Sequence, residues 1–263
     1  MSNLNYEGGL FETNNYGALI ITKYVNASEV HVKFIETGYE TDVEMVQIKN
    51  GNVKDRWASS VCGVGLIGNE PTYANGKHLK EYMLWGAMLK RCYDDKYHSK
   101  HPTYKDCYVS ENFKYYPYFK SWCFKQVGFD QIGWELDKDV FVKGNRVYSE
   151  DTCVFIPQEI NKLLNKHDKA RGEYPIGVGY DKKNNKFESR LSIHGKQIRL
   201  GRFNTAEEAF QAYKHAKEDQ IKIVANKWKE QIDTRVYEAL MGYQVESQIN
   251  SRNISPLTGV IER

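Results

Sequence analysis

No stretch of this chain comes near the roughly 20 consecutive apolar residues that a bilayer-spanning helix requires. Its start, Met1 to Phe11, lacks the basic opening and apolar centre of a secretory signal. Both absences predict a protein of the cytosol of the cell that makes it, with no membrane partner. Cysteine pairing is missing as well. The five cysteines (Cys62, Cys92, Cys107, Cys123 and Cys153) are odd in number, widely spaced and never in a C-x-x-C pair. That pattern argues against a disulfide framework and against a zinc ribbon, and leaves buried free thiols as the expectation. Nor is there a large excess of one charge, since 37 Lys and Arg face 34 Asp and Glu, and a net +3 names no partner. A shortage of aromatics is the one absence that does not apply. With 41% hydrophobic and 13% aromatic residues the chain is too rich in Tyr, Phe and Trp to be disordered.

At 263 residues one large core or two to three small ones can form, and the patterning favours several small modules. From Tyr16 to about Lys54 apolar residues alternate with polar ones: Leu19 and Ile21, then Val30, Val32 and Phe34, then Val43 and Met45. Asn26-Ala27-Ser28 and Thr37-Gly38 punctuate the runs, which predicts a small antiparallel sheet or barrel. Asp55 to Asn75 is glycine-rich and reads as a linker or loop that packs through Trp57. Near Lys80 the period changes. Tyr82, Trp85, Met88, Leu89 and Cys92 recur at helical spacing, and a second aromatic helix is predicted from Phe113 to Phe124 with Pro117 in its first turn or kinking it. These stripes are core positions. After Gly133 a strand is expected over Trp134 to Val142, a second over Cys153 to Ile156, and a helix from Pro157 through Leu164.

Charge is distributed unevenly. Between Arg171 and Arg202 eight Lys and Arg stand against three acids, so the rest of the chain is slightly acidic. A local basic face on a near-neutral protein points to an anionic partner for that face. Three extended runs lie in this region, Ile176 to Tyr180, Lys186 to His194 and Lys196 to Phe203, with His194-Gly195 as a tight turn. Phe187, Leu191, Ile193, Ile198 and Leu200 take one face. Lys186, Glu188, Arg190, Ser192, Gln197 and Arg199 take the other. Thr205-x-x-Glu208 then forms a capping box before a helix whose stripe is Ala206, Ala209, Phe210, Tyr213, Ile221, Val224 and Trp228. Phe210 and Tyr213 are expected against Phe187, Leu191 and Ile198. A sheet covered on one side by a helix leaves the other side free for a nucleic-acid groove, where Arg and Lys contact phosphate or guanine and Gln pairs with adenine.

The stretches Ile176-Gly177-Val178, Lys186-Phe187, Leu200-Gly201-Arg202-Phe203-Asn204-Thr205-Ala206-Glu207-Glu208-Ala209 and Ala212-Tyr213 carry a G-V, L-G-x-F-x-T-x-E-x-A and A-Y pattern. That pattern is similar to the Apetala (ethylene-response-factor) DNA-binding domain over about 55 residues. The resemblance implies a three-stranded sheet in the major groove of double-stranded DNA, with contact through Glu188, Arg190, Gln197 and Arg199; Lys186, Ser192 and Arg202 complete the candidate DNA-binding set. Ile176 and Gly179 stand where plant members usually carry arginines, which implies a weaker or different readout.

Upstream, Leu136-Asp137-Lys138-Asp139, Tyr148-Ser149-x-x-Thr152-Cys153 and Ile160-Asn161, with Trp85-x-x-Met88-Leu89-x-Arg91-Cys92-Tyr93 and Trp122, resemble phage HNH endonucleases of the His-Me finger type. The resemblance implies a phage-encoded protein working in the host cytoplasm. By position it makes Asp137 and Asn161 the metal ligands, puts Lys138 where the general-base His belongs, and puts Thr152 where an Asn steadies the first strand. A protonated Lys beside a metal is a poor base, so the site is expected to be degenerate. His98, His101 and His167 are not placed on it by spacing. The fold class expected is α+β: a small β-barrel-like module over 1–62, a linker over 63–79, a helical region with an HNH-like ββα motif over 80–168, an Apetala-type sheet and long helix over 171–245, and a tail over 246–263. Two functions stay open. One is a DNA-binding protein of HNH homing-endonuclease ancestry that cuts DNA with Mg2+ or another divalent metal. The other is a catalytically inactive derivative without a cofactor, which binds DNA or inhibits a host defence nuclease.

Overall fold

The computed structural model describes residues 6–164, 173–193 and 195–247; the His194 half of the predicted turn, His167, Arg171 and most of the predicted tail lie outside them. The protein mixes α and β structure and divides into two compact units. One is Met1–Phe129 with Gly144–Cys153, the other Asp130–Lys143 with Val154–Arg263. No helix of the described residues is long and apolar enough to cross a membrane.

In the first unit β1 (Leu10–Glu12), β2 (Ala18–Asn26), β3 (Glu29–Phe34) and β4 (Glu40–Val43) form an antiparallel sheet in sequential order. The inward alternation is the predicted one, with Leu19, Ile21, Val30, Val32 and Phe34 in the core. Met45 departs from its expected place in a strand. It opens α1 (Met45–Lys49) and closes the core together with Ile48. The glycine-rich stretch is ordered as two short hairpins, β5 (Ser59–Val61) with β6 (Gly65–Leu66) and β7 (Tyr73–Ala74) with β8 (Lys77–His78). A side chain at Gly65 would come within 2.4 Å of Leu89 Cδ1, so only glycine lets β6 lie this close to the next element. That element is α2 (Lys80–Tyr93), and α3 (Asp95–Lys100), β9 (Tyr108–Val109), α4 (Glu111–Lys114) and α5 (Tyr116–Phe124) follow. Pro117 sits in the first turn of α5, where its missing N–H costs nothing. The aromatic stripe is core throughout: Trp85 is fully buried and donates Nε1–H to the Phe113 carbonyl at 2.7 Å. Four of the five cysteines are buried and all are free thiols.

The chain leaves the first unit after Phe129 to make β10 (Trp134–Asp137), returns for β11 (Val147–Tyr148), which runs parallel to β9, and leaves again for β12 (Val154–Pro157). β10 and β12 are antiparallel, and α6 (Gln158–Leu164) completes a ββα element. The predicted strand over Trp134 to Val142 is cut short at Asp137, whose Oδ1 accepts the backbone N–H of Asp139 at 2.8 Å and of Val140 at 2.7 Å. This side-chain turn takes the backbone out of the ladder and drops Val140 into the core.

The C-terminal part of this unit is a three-stranded antiparallel sheet, β13 (Val178–Asp181), β14 (Lys186–Ile193) and β15 (Lys196–Phe203), followed by α7 (Ala206–Trp228) and α8 (Thr234–Met241). Both halves of the capping box at Thr205 and Glu208 are formed. At 23 residues, α7 carries two cores along its length. Its first half packs Phe210 and Tyr213 onto Leu191, Val178, Ile176 and Leu200, and its second half packs Ile221, Val224 and Ala225 onto Val154, Ile156 and Ile160 of the ββα element. Phe187 and Ile198 are not partners of Phe210, contrary to the periodicity. Phe187 packs edge-on against Tyr174 and tilted against Tyr180, and Ile198 is exposed. Ile198 pairs with Leu191 but lies on the edge strand of the sheet, and a bulge follows it: Ser189 pairs with Gly201 but Arg190 with Arg199, so Leu200 is an extra residue, packed against the core. Gly177 has φ +79°, and a Cβ there would lie 2.0 Å from the Tyr213 ring. The chain enters the sheet directly over that tyrosine, which only glycine permits.

Candidate nucleic-acid interface

The outer face of the sheet is set by pleating. Glu188, Arg190 and Ser192 alternate along β14, and antiparallel pairing places Arg202, Arg199 and Gln197 opposite them in that order. Glu188 is the hub of this face. Its side chain is only 3% exposed, and it lies between Arg190 and Arg199, whose side chains are 51% and 58% exposed. Arg190 donates Nε–H to Glu188 Oε2 at 2.7 Å and also reaches that oxygen through Nη2, while Arg199 Nε pairs with Oε1. Each guanidinium has five N–H donors, so both keep donors beyond those given to Glu188. Arg202 Nη2 pairs with Asp181 Oδ2 at 3.0 Å. The Asn184 side-chain amide first, then the Asn184 backbone, Arg202 and the Lys183 backbone, hold the Asp181 carboxyl below its ordinary range against a desolvation that works the other way. Lys186 Nζ is tied to Asn204 Oδ1 at one end of the face, and Ser192 and Gln197 are exposed neighbours at the other.

One carboxylate therefore fixes two arginines side by side and leaves the trio with a net positive charge. A guanidinium already held in one rotamer loses less entropy when it meets a phosphate or a guanine edge. The sequence pattern put Glu188 on this face as a further outward group. Its burial under two arginines was invisible, because the hairpin pairs Arg190 with Arg199 over it while a bulge just beyond that pair shifts the register, and no local signal reports the bulge or the burial.

The residues aligned with an HNH site are committed elsewhere. Asp137 holds its own turn. Lys138, 8% exposed, donates Nζ to both carboxylate oxygens of Asp139 at 2.9 Å. Asn161 donates Nδ2–H to Glu135 Oε2, and Gln158 donates Nε2–H to Glu135 Oε1 at 3.0 Å. Glu135, two residues before Asp137 on one strand, is thus the carboxylate that faces α6, a role the motif comparison missed. Thr152 belongs to the first unit, where its hydroxyl donates to the Val147 carbonyl at 2.8 Å. His98 bonds the Arg91 carbonyl at 2.9 Å and His101 stacks on Tyr97. Among the described residues no cluster of three or more His, Cys, Asp or Glu is arranged to hold a metal.

Burial pushes the Asp137 carboxyl above its ordinary range, and the backbone N–H groups of Asp139 and Val140 oppose it. The folded chain then holds that proton more tightly than the unfolded one. The ionised form costs stability above the unfolded pKa of about 3.9, and the cost is relieved as pH falls through the range between the unfolded and folded values. Asp137→Asn keeps the acceptor and removes the charge. It should be at least as stable as the parent at neutral pH in urea denaturation, with the difference shrinking on acidification. Asp137→Ala should lose about 1 to 2 kcal/mol with the two bonds. Equal losses in both variants at neutral pH would show that the negative charge itself is needed there.

No family model matches this chain, and neither a curated protein nor a solved structure matches it.

Proposed function

We propose that the protein binds double-stranded DNA through the outer face of β13–β15, and that the ββα element serves as scaffold for this unit and does not cleave. The observation that carries the proposal is the Glu188 hub, which presents Arg190 and Arg199 as an ordered, half-exposed pair beside Arg202. The pattern similar to Apetala domains supports the same reading, since it names the same strands. For the scaffold role the support is chemical. A general base able to accept a proton is missing at Lys138, whose Nζ is paired with Asp139, and one oxygen of Asp137, Oδ1, is taken by two backbone amides.

Titration of a fluorescent duplex with the full chain, between roughly 50 and 200 mM salt, tests the binding reading. If Arg190, Arg199 and Arg202 each displace a counterion, log K should fall with log salt with a slope of about −3 or steeper. Incubating plasmid with the protein and Mg2+ or Mn2+ should give no nicks. Nicking that vanishes in Asp137→Ala would instead establish an endonuclease, and an affinity independent of salt would sink the DNA interface.

A further inference from the structure

The second unit contains a cleft of about 1040 Å³ beside the basic face. It exists because β13 begins only at Val178, so that β14 beyond Arg190 has no neighbour from β13 along that edge, and α6 and α7 wall the space that is left. Its charged lining is one-sided: Lys162, Arg190, Lys217 and Lys227 against Glu159. Three of these cations have partners. Lys162 donates to Gln158, Arg190 pairs with Glu188, and Lys227 pairs with Glu159, whose Oε2 also accepts from Trp228. Lys217, half-buried on α7, has no hydrogen-bond or ion-pair partner among the described residues, and burial holds its ammonium below its ordinary pKa. An ammonium withdrawn from water without a counter-charge is unfavourable, and an anion rich in oxygen acceptors would relieve it.

The cleft also opens onto the DNA face, since Arg190, Ser192 and Gln197 belong to both. A duplex lying across the sheet would carry its backbone past this edge. We propose that Lys217 anchors a phosphate-binding site in this cleft, which takes a backbone phosphate of the duplex bound on the sheet. The site lies around the strand edge, so it contributes affinity without reading bases. The proposal rests on the DNA-binding reading above.

The test uses the full chain and three variants. Lys217→Gln removes the charge and keeps most of the reach, Lys217→Arg restores a cation, and Arg190→Ala with Arg199→Ala removes the sheet contacts. Lys217→Gln should bind a short duplex several-fold more weakly, with a salt slope smaller by about 1, equally for unrelated sequences, and Lys217→Arg should recover most of the loss. A second measurement follows the rate at which Lys217 is reductively methylated. The duplex should protect it, and inorganic phosphate at millimolar concentration should protect it more weakly. If Lys217→Gln leaves affinity and slope unchanged while the arginine double variant loses binding, the phosphate site is overturned and the sheet interface stands. If all variants bind like the parent, both fall together. Protection by inorganic phosphate without any protection by the duplex would overturn DNA as the source of the phosphate.

Discussion

Replacing Arg190 and Arg199 together by alanine should weaken duplex binding by roughly 2 to 4 kcal/mol, about 30- to 1,000-fold, if each makes one good phosphate or base contact. The two side chains stand opposite each other on adjacent strands, so in the proposed complex they would address neighbouring positions on the duplex. Removing them strands Glu188, which is almost fully buried and loses both of its cationic partners. An unpaired buried carboxylate is costly, and the double variant on its own would confuse a folding defect with a binding defect. The variant that also carries Glu188→Gln removes this ambiguity, since the neutral amide tolerates the site without counter-ions. It should keep the parent's circular dichroism and thermal transition and still bind weakly. Affinity equal to the parent's in that well-folded triple variant would show that the sheet face is not the DNA contact.

Phe210→Ala should cost about 3 to 5 kcal/mol of stability, the largest single loss expected from the C-terminal core. Phe210 is 2% exposed, and its ring fills the space between Leu191, Tyr213 and the inward bulge residue Leu200. The core around it is small, with Leu191, Phe210 and Tyr213 as its buried residues, so losing the ring removes a large share of its buried apolar surface. Ile198→Ala is the contrasting substitution: at 44% exposure it should change stability by no more than about 0.5 kcal/mol, although periodicity alone assigns it to the same core. Urea denaturation followed by far-ultraviolet dichroism measures both. Because α7 also carries the second core, the Phe210 variant should lose the whole unit in one transition rather than shedding the sheet alone. A Phe210 variant as stable as the parent, or a clear two-step transition, would show that the helix does not join the two cores as described.

Local features of the chain were legible because their causes are local. Period-two alternation gave β2, β3, β14 and β15, the capping box at Thr205 and Glu208 gave the start of α7, and Pro117 gave the first turn of α5. Each depends on residues within about four positions of one another. The sequence by itself also determined that positive charge gathers on the three C-terminal strands, since alternation assigns Arg190 and Arg199 to one face whatever packs beneath. Tertiary structure decided the rest. Met45 opens a helix that closes the core of the sheet, and the strand at Trp134 stopped at Asp137 because that carboxylate met two backbone amides. Arg202 came to stand opposite Glu188 because a bulge shifts the register by one residue beyond Arg199, which pattern reading cannot see. The hub at Glu188 and the pairing of Asn161 with Glu135 join residues from different elements, and Lys217 is half-buried without a partner among the described residues. Their chemistry is set by distance in space and by burial, and neither quantity is carried by spacing along the chain.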